Sequence, residues 1–239
     1  MVIEVLPLFA SSPIYYRQIL SVDKSQKYNL SSVRQATSAG VALPFEIIEY
    51  WRKNFNIPIY EALGMTEMST FISSGELTPI KEGKIGKIQP GRKVAILPLI
   101  NGETPVPVNE IGILSLHKSN PGFMLGYLHP ERNKAVFRGE WFLTGDLVSM
   151  DGEGYIQHHG RHDDALVVPS GETINPSEVE AIFSKHPNIA DVACTLTTEK
   201  ISRNVLTAFI VLRDKSQNKE EDKKNILTFI KNNLISEAV

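Results

Sequence analysis

The chain has 239 residues, of which 42% are hydrophobic and 22% charged, and a formal net charge of -2. This is the composition of a soluble globular protein, long enough for one large domain or two ordinary ones, without the charge that draws a chain to nucleic acid or an anionic membrane. The one cysteine, Cys194, excludes an internal disulfide framework and a multi-cysteine zinc site and suits a reducing cytoplasm.

The opening stretch VIEVLPLFA is continuously apolar, as in a strand buried on both faces. It has no basic leader and no small-residue cleavage pattern, and no window of the chain approaches the ~18 apolar residues of a membrane span. After Pro13, IYYRQIL fits a short helix, and VRQATSAG fits a strand running into a glycine turn. Pro44 opens a second helix, where its missing N–H costs little, with Phe45, Ile48, Trp51 and Phe55 at helical spacing. NIPIYEALG is a further strand, and MTEMS starts the next turn. Strand–helix–strand with apolar strands predicts an α/β layer on a parallel sheet. From Gly83, glycine and proline recur between short β runs such as KVAILPL and GILSLHK. That texture predicts an all-β subdomain with tight turns, running to about Gly160. Within it, Thr144-Gly145-Asp146 and the stretch from Gly160 to Asp164 read as two turns at the ends of one small β unit.

After Asp164 the pattern changes. ALVV is a strand, and NPSEVEAIFSKH is a helix with Asn175 as N-cap, Pro176 at the first position and Glu178 three after the cap. Val179, Ile182 and Phe183 form its apolar face. IADVACTLT and VLTAFIVL are strands, RDKSQNKEEDKK is a charged, solvated connection, and NILTFIKNNLI is a last amphipathic helix. The order β-α-β-β-α predicts a small α+β domain over 163–239. A larger domain over 1–162 precedes it, α/β to about residue 82 and β-rich over 83–160.

Three stretches carry candidate chemistry. YEALGMTEMS places a glycine, a hydroxyl and a carboxylate just beyond a strand, where ligands of α/β sheets bind. Gly64 permits close backbone approach, Thr66 can bond a phosphate oxygen, and Glu67 can hold a Mg²⁺ ion that bridges phosphates. Read alone, the same stretch is a helix start with Thr66 as N-cap. TSAGVALP is a strand-to-helix turn with free N–H groups, or an ordinary βα loop. Asp146 can accept from two ribose hydroxyls and Arg161 can donate to the same sugar; read alone, TGD is a type I turn and GRHDD a solvated linker. His158 and His159 are adjacent, point to opposite faces of a strand, and are assigned to structure or surface. Cys194 sits in a strand and reads as core rather than nucleophile.

In this order, TSAGVALP, LGMTEMS, GKIGKIQPG, GEWFLTGDL, GRHDDALVV and SGETINPSEVE resemble the AMP-forming acyl-CoA synthetase and ligase superfamily, the adenylate-forming enzymes. The wording is most similar to aryl- and short-chain acyl-CoA ligases. The resemblance implies a fold: the later part of a large α/β domain with its β subdomain, then most of a small α+β domain. It implies that a carboxylic acid and ATP give an acyl-adenylate and pyrophosphate, after which a thiol, usually coenzyme A, displaces AMP. ATP/AMP, Mg and coenzyme A are the implied cofactors. Gly40, Val41 and Ala42 would line the adenine, with Glu61, Ala62 and Leu63 on its other side. Thr66 would touch phosphate and Glu67 bind Mg. Asp146 would take the ribose hydroxyls with Arg161 beside it, and Asp163 would be the hinge of the small domain. Gly171 would lie on the loop facing the thiol tunnel.

The departures carry expectations of their own. Leu63 stands where the family usually has an aromatic that stacks on adenine. ALVVPSGETINP has one extra residue and lacks a lysine, like the variant loop of reductase-linked adenylation domains. The family's Ser/Thr/Gly-rich phosphate loop has no counterpart before Thr37, and its catalytic lysine, in a Gly-Lys turn after the last helix, has none either; Lys231 lies within that helix. The expectation is a fragment, split subunit or truncated product of an acid–thiol ligase, inactive alone, with apolar surface open to a complementary N-terminal fragment or to self-association. The alternatives are a non-catalytic nucleotide- or acyl-binding regulatory module and an inactive remnant.

Overall fold

The computed structural model describes residues 7–22, 30–164, 166–167, 173–198, 204–213 and 219–237. Strands β1 (Leu8–Ser11), β2 (Gln35–Ala39) and β3 (Ile59–Met65) pair in parallel, joined by helices α1 (Pro13–Ser21) and α2 (Phe45–Phe55). Parallel neighbours need such crossovers, because a tight turn only reverses a strand. Helix α2 forms where local signals agree. Pro44 precedes it, Glu46 lies in its first turn, Arg52 and Lys53 lie in its last, and Asn56 ends it in the left-handed region at φ 54°. The charges complement the helix dipole. Ile48 and Trp51 face inward and are almost fully buried, together with Tyr16 from α1 and Ala36 from β2. The Tyr16 hydroxyl donates to the Thr37 carbonyl at 2.7 Å, which ties α1 to the strand that leads into the glycine turn. Burial pushes that phenol up to about 12, against a smaller lowering by the Thr37 bond.

The chain then reverses. It continues through β4 (Ser69–Ser73), β5 (Gly86–Ile88), β6 (Val94–Leu97), β7 (Gly112–His117), the short helix α3 (Pro130–Val136), β8 (Phe137–Arg138), β9 (Trp141–Met150) and β10 (Tyr155–Arg161). The sheet order is β1-β2-β3-β4-β5-β10-β9-β7-β6, with β8 paired to β9. So the expected β-rich subdomain shares one mixed sheet with the α/β layer, and the pairing changes before Gly83: it is parallel at β1–β2 and β2–β3 and antiparallel at β3–β4, β4–β5, β5–β10, β7–β9 and β6–β7. Its second core gathers Met68, Phe71, Ile72, Leu114, Leu116 and Ile156. One expectation is corrected here. The described part of the opening strand is not buried on both faces: among the described residues β1 pairs only with β2, and Leu8 is 55% exposed. An apolar run reports hydrophobicity, but its burial depends on what lies beside it.

The chain forms two compact units, Met1–His158 and His159–Val239. In the second, β11 (Leu166–Val167) pairs with β12 (Thr173–Ile174), and β13 (Ile189–Thr198) pairs antiparallel with β14 (Asn204–Leu212). Helices α4 (Pro176–Ser184) and α5 (Lys219–Glu237) complete it. Val179, Ile182 and Phe183 on α4 bury against Ile189, Ile226 and Ile230, the apolar face read from the sequence. Cys194 is half-buried against this core, and burial pushes its thiol up to about 11, with Glu180 adding to the rise. The charged stretch KEEDKK is not a loop. It is the first part of α5, with Glu220, Glu221 and Asp222 in the first turn, where negative charge favours the helix. No described helix is long and apolar enough to cross a membrane.

Candidate functional site

At the carboxyl end of β2, Ser38 pairs with Glu61 and Ala39 with Ala62, in the middle of β3. Gly40, at φ 98°, turns the chain out of β2, leaving Gly40, Val41 and Ala42 exposed before Leu43 turns inward. The Leu43 N–H donates to Glu61 Oε1 at 3.0 Å, so the loop is fastened to the neighbouring strand. Ser74 Oγ accepts the Glu61 N–H at 2.8 Å, and the Ser74 N–H donates to the Glu61 carbonyl at 2.9 Å. Burial holds the Glu61 carboxyl above the ordinary carboxylate range, partly offset by the Leu43 bond. The structure thus brings Gly40, Val41 and Ala42 to Glu61 and Ala62. Leu63 packs part of its side chain on the second core.

Thr66 and Glu67 lie in a hairpin turn between β3 and β4, not at a helix start. The reason is the next residue. Met68 is 1% exposed and anchors the turn in the core, leaving Thr66 exposed and Glu67 half-buried. At Gly64 the β3–β4 register shifts, and a Cβ there would lie 2.7 Å from the Ser69 carbonyl oxygen. Only a glycine lets the two backbones come this close. The Glu67 carboxylate accepts a bond from the Tyr127 hydroxyl at 2.5 Å, and the Glu67 carbonyl accepts the Met124 N–H at 2.7 Å. Burial, then the Glu67 bond and its charge, push the Tyr127 phenol up to about 12.

Thr144-Gly145-Asp146 is not a turn either; it lies inside β9. Between the pairs Ile113–Leu147 and Ser115–Leu143, β7 advances two residues and β9 four. The surplus is a bulge, with Gly145 at φ 84° supplying the positive angle that bulges favour. Bulges re-aim side chains, and here Thr144 and Asp146 are both buried, at 4% and 8% exposure. Thr144 Oγ1 accepts the Asp146 N–H at 3.0 Å. His158 Nε2 on β10 lies 3.4 Å from Asp146 Oδ1.

In the second unit, Arg161 ends β10, and its Nη2 lies 3.6 Å from Asp163 Oδ2 in an exposed pair. Asp163 is also 3.7 Å from His162 Nδ1. Gly171 lies outside the described residues. Asn175 donates its side-chain amide to the His159 carbonyl, besides standing before α4. Sequence reasoning missed Tyr127, which is 60 residues from Glu67. It also placed His158 in structure or surface; strand alternation gave its facing but not its neighbour. A groove of about 500 Å³ in the first unit is lined by Leu8, Arg34, Gln35 and Ser73 to Thr78; none of the expected site residues lines it, although Ser74 bonds the Glu61 backbone. Among the described residues no group of three or more His, Cys, Asp or Glu is placed to hold a metal ion. Glu67 offers hard oxygen to a cation that phosphates would hold as well, which is how Mg²⁺ is usually bound.

A family model described as AMP-binding enzyme matches residues 6–128, just over half of the chain. The chain belongs to the AMP-binding enzyme family. Its relatives include acyl-CoA ligases and synthetases. The uncharacterized acyl–CoA ligase YtcI of Bacillus subtilis (strain 168) is 34% identical over 94% of this chain and 42% of its own length. The mitochondrial acyl-coenzyme A synthetase ACSM3 of Mus musculus is 35% identical over 95% and 39%. The crystal structure of the anthranilate CoA ligase AuaEII in complex with anthranoyl-AMP matches with a TM-score of 0.80 at 29% identity, covering 95% of this chain and 43% of that one. The chain therefore spans about two-fifths of the length of these relatives. The mixed α/β fold is that of the adenylate-forming CoA ligases.

Proposed function

We propose that the chain supplies the nucleotide-facing part of an acid–thiol ligase. Such a ligase joins a carboxylic acid to the AMP moiety of ATP, releasing pyrophosphate, and then transfers the acyl group to the thiol of coenzyme A, releasing AMP. Asp146 carries the reading: a buried carboxylate on a strand bulge, in the motif order of the family, suits the two hydroxyls of a ribose. Gly40, Val41 and Ala42 line one side of the adenine, and Glu61, Ala62 and Leu63 the other. Thr66 meets phosphate. Glu67 would hold a magnesium ion, which supplies neutralisation of phosphate charge when bound. Arg161, Asp163 and Gly171 keep the sugar, hinge and thiol-loop roles that the resemblance gives them. The anthranoyl-AMP held by the structural relative supports an acyl-adenylate as the intermediate, and leaves the acid itself to be found by trial.

Titration calorimetry with AMP tests the reading. A bond from a ribose hydroxyl to a charged carboxylate contributes about 1.5–3 kcal/mol, so Asp146→Ala is expected to weaken AMP by roughly tenfold or more. An unchanged affinity would show that the sugar lies elsewhere.

A further inference from the structure

Glu67 sits on the outer part of a hairpin turn, where a side chain with three rotatable bonds would ordinarily sample several rotamers. Here one chain segment grips it twice. The Met124 N–H donates to its main-chain carbonyl at 2.7 Å, and the Tyr127 hydroxyl donates to Oε1 at 2.5 Å. That segment is itself braced. Asn133 accepts the Tyr127 N–H at 2.7 Å and donates back to the Tyr127 carbonyl at 3.0 Å. The Arg132 guanidinium lies 4.7 Å from the centre of the Tyr127 ring. Leu125 and Leu128 on either side are fully exposed, so they do not anchor it. The ring packs partly on the second core, a task phenylalanine would serve as well. The hydroxyl, by contrast, meets Glu67. Among the described residues no side chain or N–H bonds Oε2.

We infer that Tyr127 is a positioning residue for Glu67: it holds one carboxylate oxygen so that the other faces a magnesium–phosphate group. The inference rests on the role proposed above for Glu67. Carboxylates that bind metal are commonly held in this way by a hydrogen bond to the non-ligating oxygen, and loss of such a partner costs about tenfold or more in metal affinity. Fixing the rotamer in advance also removes an ordering cost that would otherwise fall on binding.

Calorimetry on the full chain separates the outcomes, using ATP in excess magnesium and AMP without metal. The proteins are the wild type, Tyr127→Phe, Glu67→Gln and the double variant. Tyr127→Phe is expected to weaken magnesium–ATP by about tenfold and to leave AMP affinity unchanged. The double variant should bind magnesium–ATP no more weakly than Glu67→Gln alone, because the two residues act as one unit. Asn133→Ala keeps the phenol but frees its segment; it should reproduce part of the loss, and it carries the test if Tyr127→Phe does not fold. Unchanged magnesium–ATP affinity in Tyr127→Phe, or losses that simply add, would overturn the positioning role and leave the ligase reading standing. Failure of the wild type to bind either nucleotide would overturn that reading and this one together.

Discussion

Asp146 and Glu61 are two carboxylates held in different ways, and the difference predicts how each responds to substitution. Asp146 has Thr144 on its own backbone N–H and His158 beside its oxygen, with only 11% of its side chain exposed. Glu61 accepts one main-chain N–H and is otherwise penalised by burial, which raises its pKa. The sign follows from proton linkage. Between the ordinary carboxyl pKa and the raised one, the folded chain binds more protons than the unfolded chain, so stability falls as pH rises through that window. Below the window both states are protonated and the penalty vanishes. Glu61→Gln keeps an oxygen for the Leu43 N–H and removes the charge. It should therefore exceed the wild type in stability at pH 7, with the difference closing as pH falls into the ordinary carboxylate range. Denaturant titrations at several pH values check this; a difference largest at acid pH would refute the assignment.

At the scale of elements, the β3–β4 hairpin presents Thr66 and Glu67, and its backbone spacing depends on Gly64. A Cβ at Gly64 would lie 2.7 Å from the Ser69 carbonyl oxygen and 2.9 Å from Thr70 Cα, both backbone atoms of β4. Gly64→Ala is expected to cost about 1–3 kcal/mol, the usual range for overpacking. Gly152→Ala, where a Cβ meets nothing within 4 Å, should stay within about 0.5 kcal/mol of wild type. Equal midpoints for the two variants in urea would refute the close approach. The same hairpin shows what the sequence could and could not reveal. Helices α1, α2 and α4 were legible because a proline start, an apolar stripe and, for α2, dipole-matched charges are local signals. Whether Thr66 caps a helix or turns a hairpin was not legible, because the deciding contacts are the burial of Met68 and the pairing of Leu63 with Ile72. The bulge at Gly145 is set by the register against β7, more than 25 residues earlier, so local reading turned it into a turn. Tyr127 was invisible for the same reason. The helix over NILTFIKNNLI was legible, but the charged residues before it hid the first turns of α5, since a solvated helical face and a solvated loop have one composition.

At the scale of the whole molecule, each unit carries its own core. The first unit's buried clusters draw on residues from Tyr16 to Ile156, the second's on residues from Val179 to Ile230. A core truncation should therefore be felt first within its own unit. Phe183 is 7% exposed and packs among Val179, Ile182 and Ile226. Truncating a buried phenylalanine to alanine costs about 3–5 kcal/mol through lost burial and the cavity left behind. A domain of roughly 80 residues has about 4–12 kcal/mol of stability at typical values per residue, so the loss is a large fraction of the total. Phe183→Ala should thus accelerate amide hydrogen exchange strongly in α4, β13, β14 and α5, because their protection is limited by opening of that core. Exchange in β7 and β9, which are built on Leu114, Leu116 and Phe142, should change far less. Hydrogen exchange read by mass spectrometry on peptides from each element distinguishes the cases. Equal acceleration in β7 and α4 would mean that the chain opens as one cooperative body, and the division at His158 would then have no energetic counterpart.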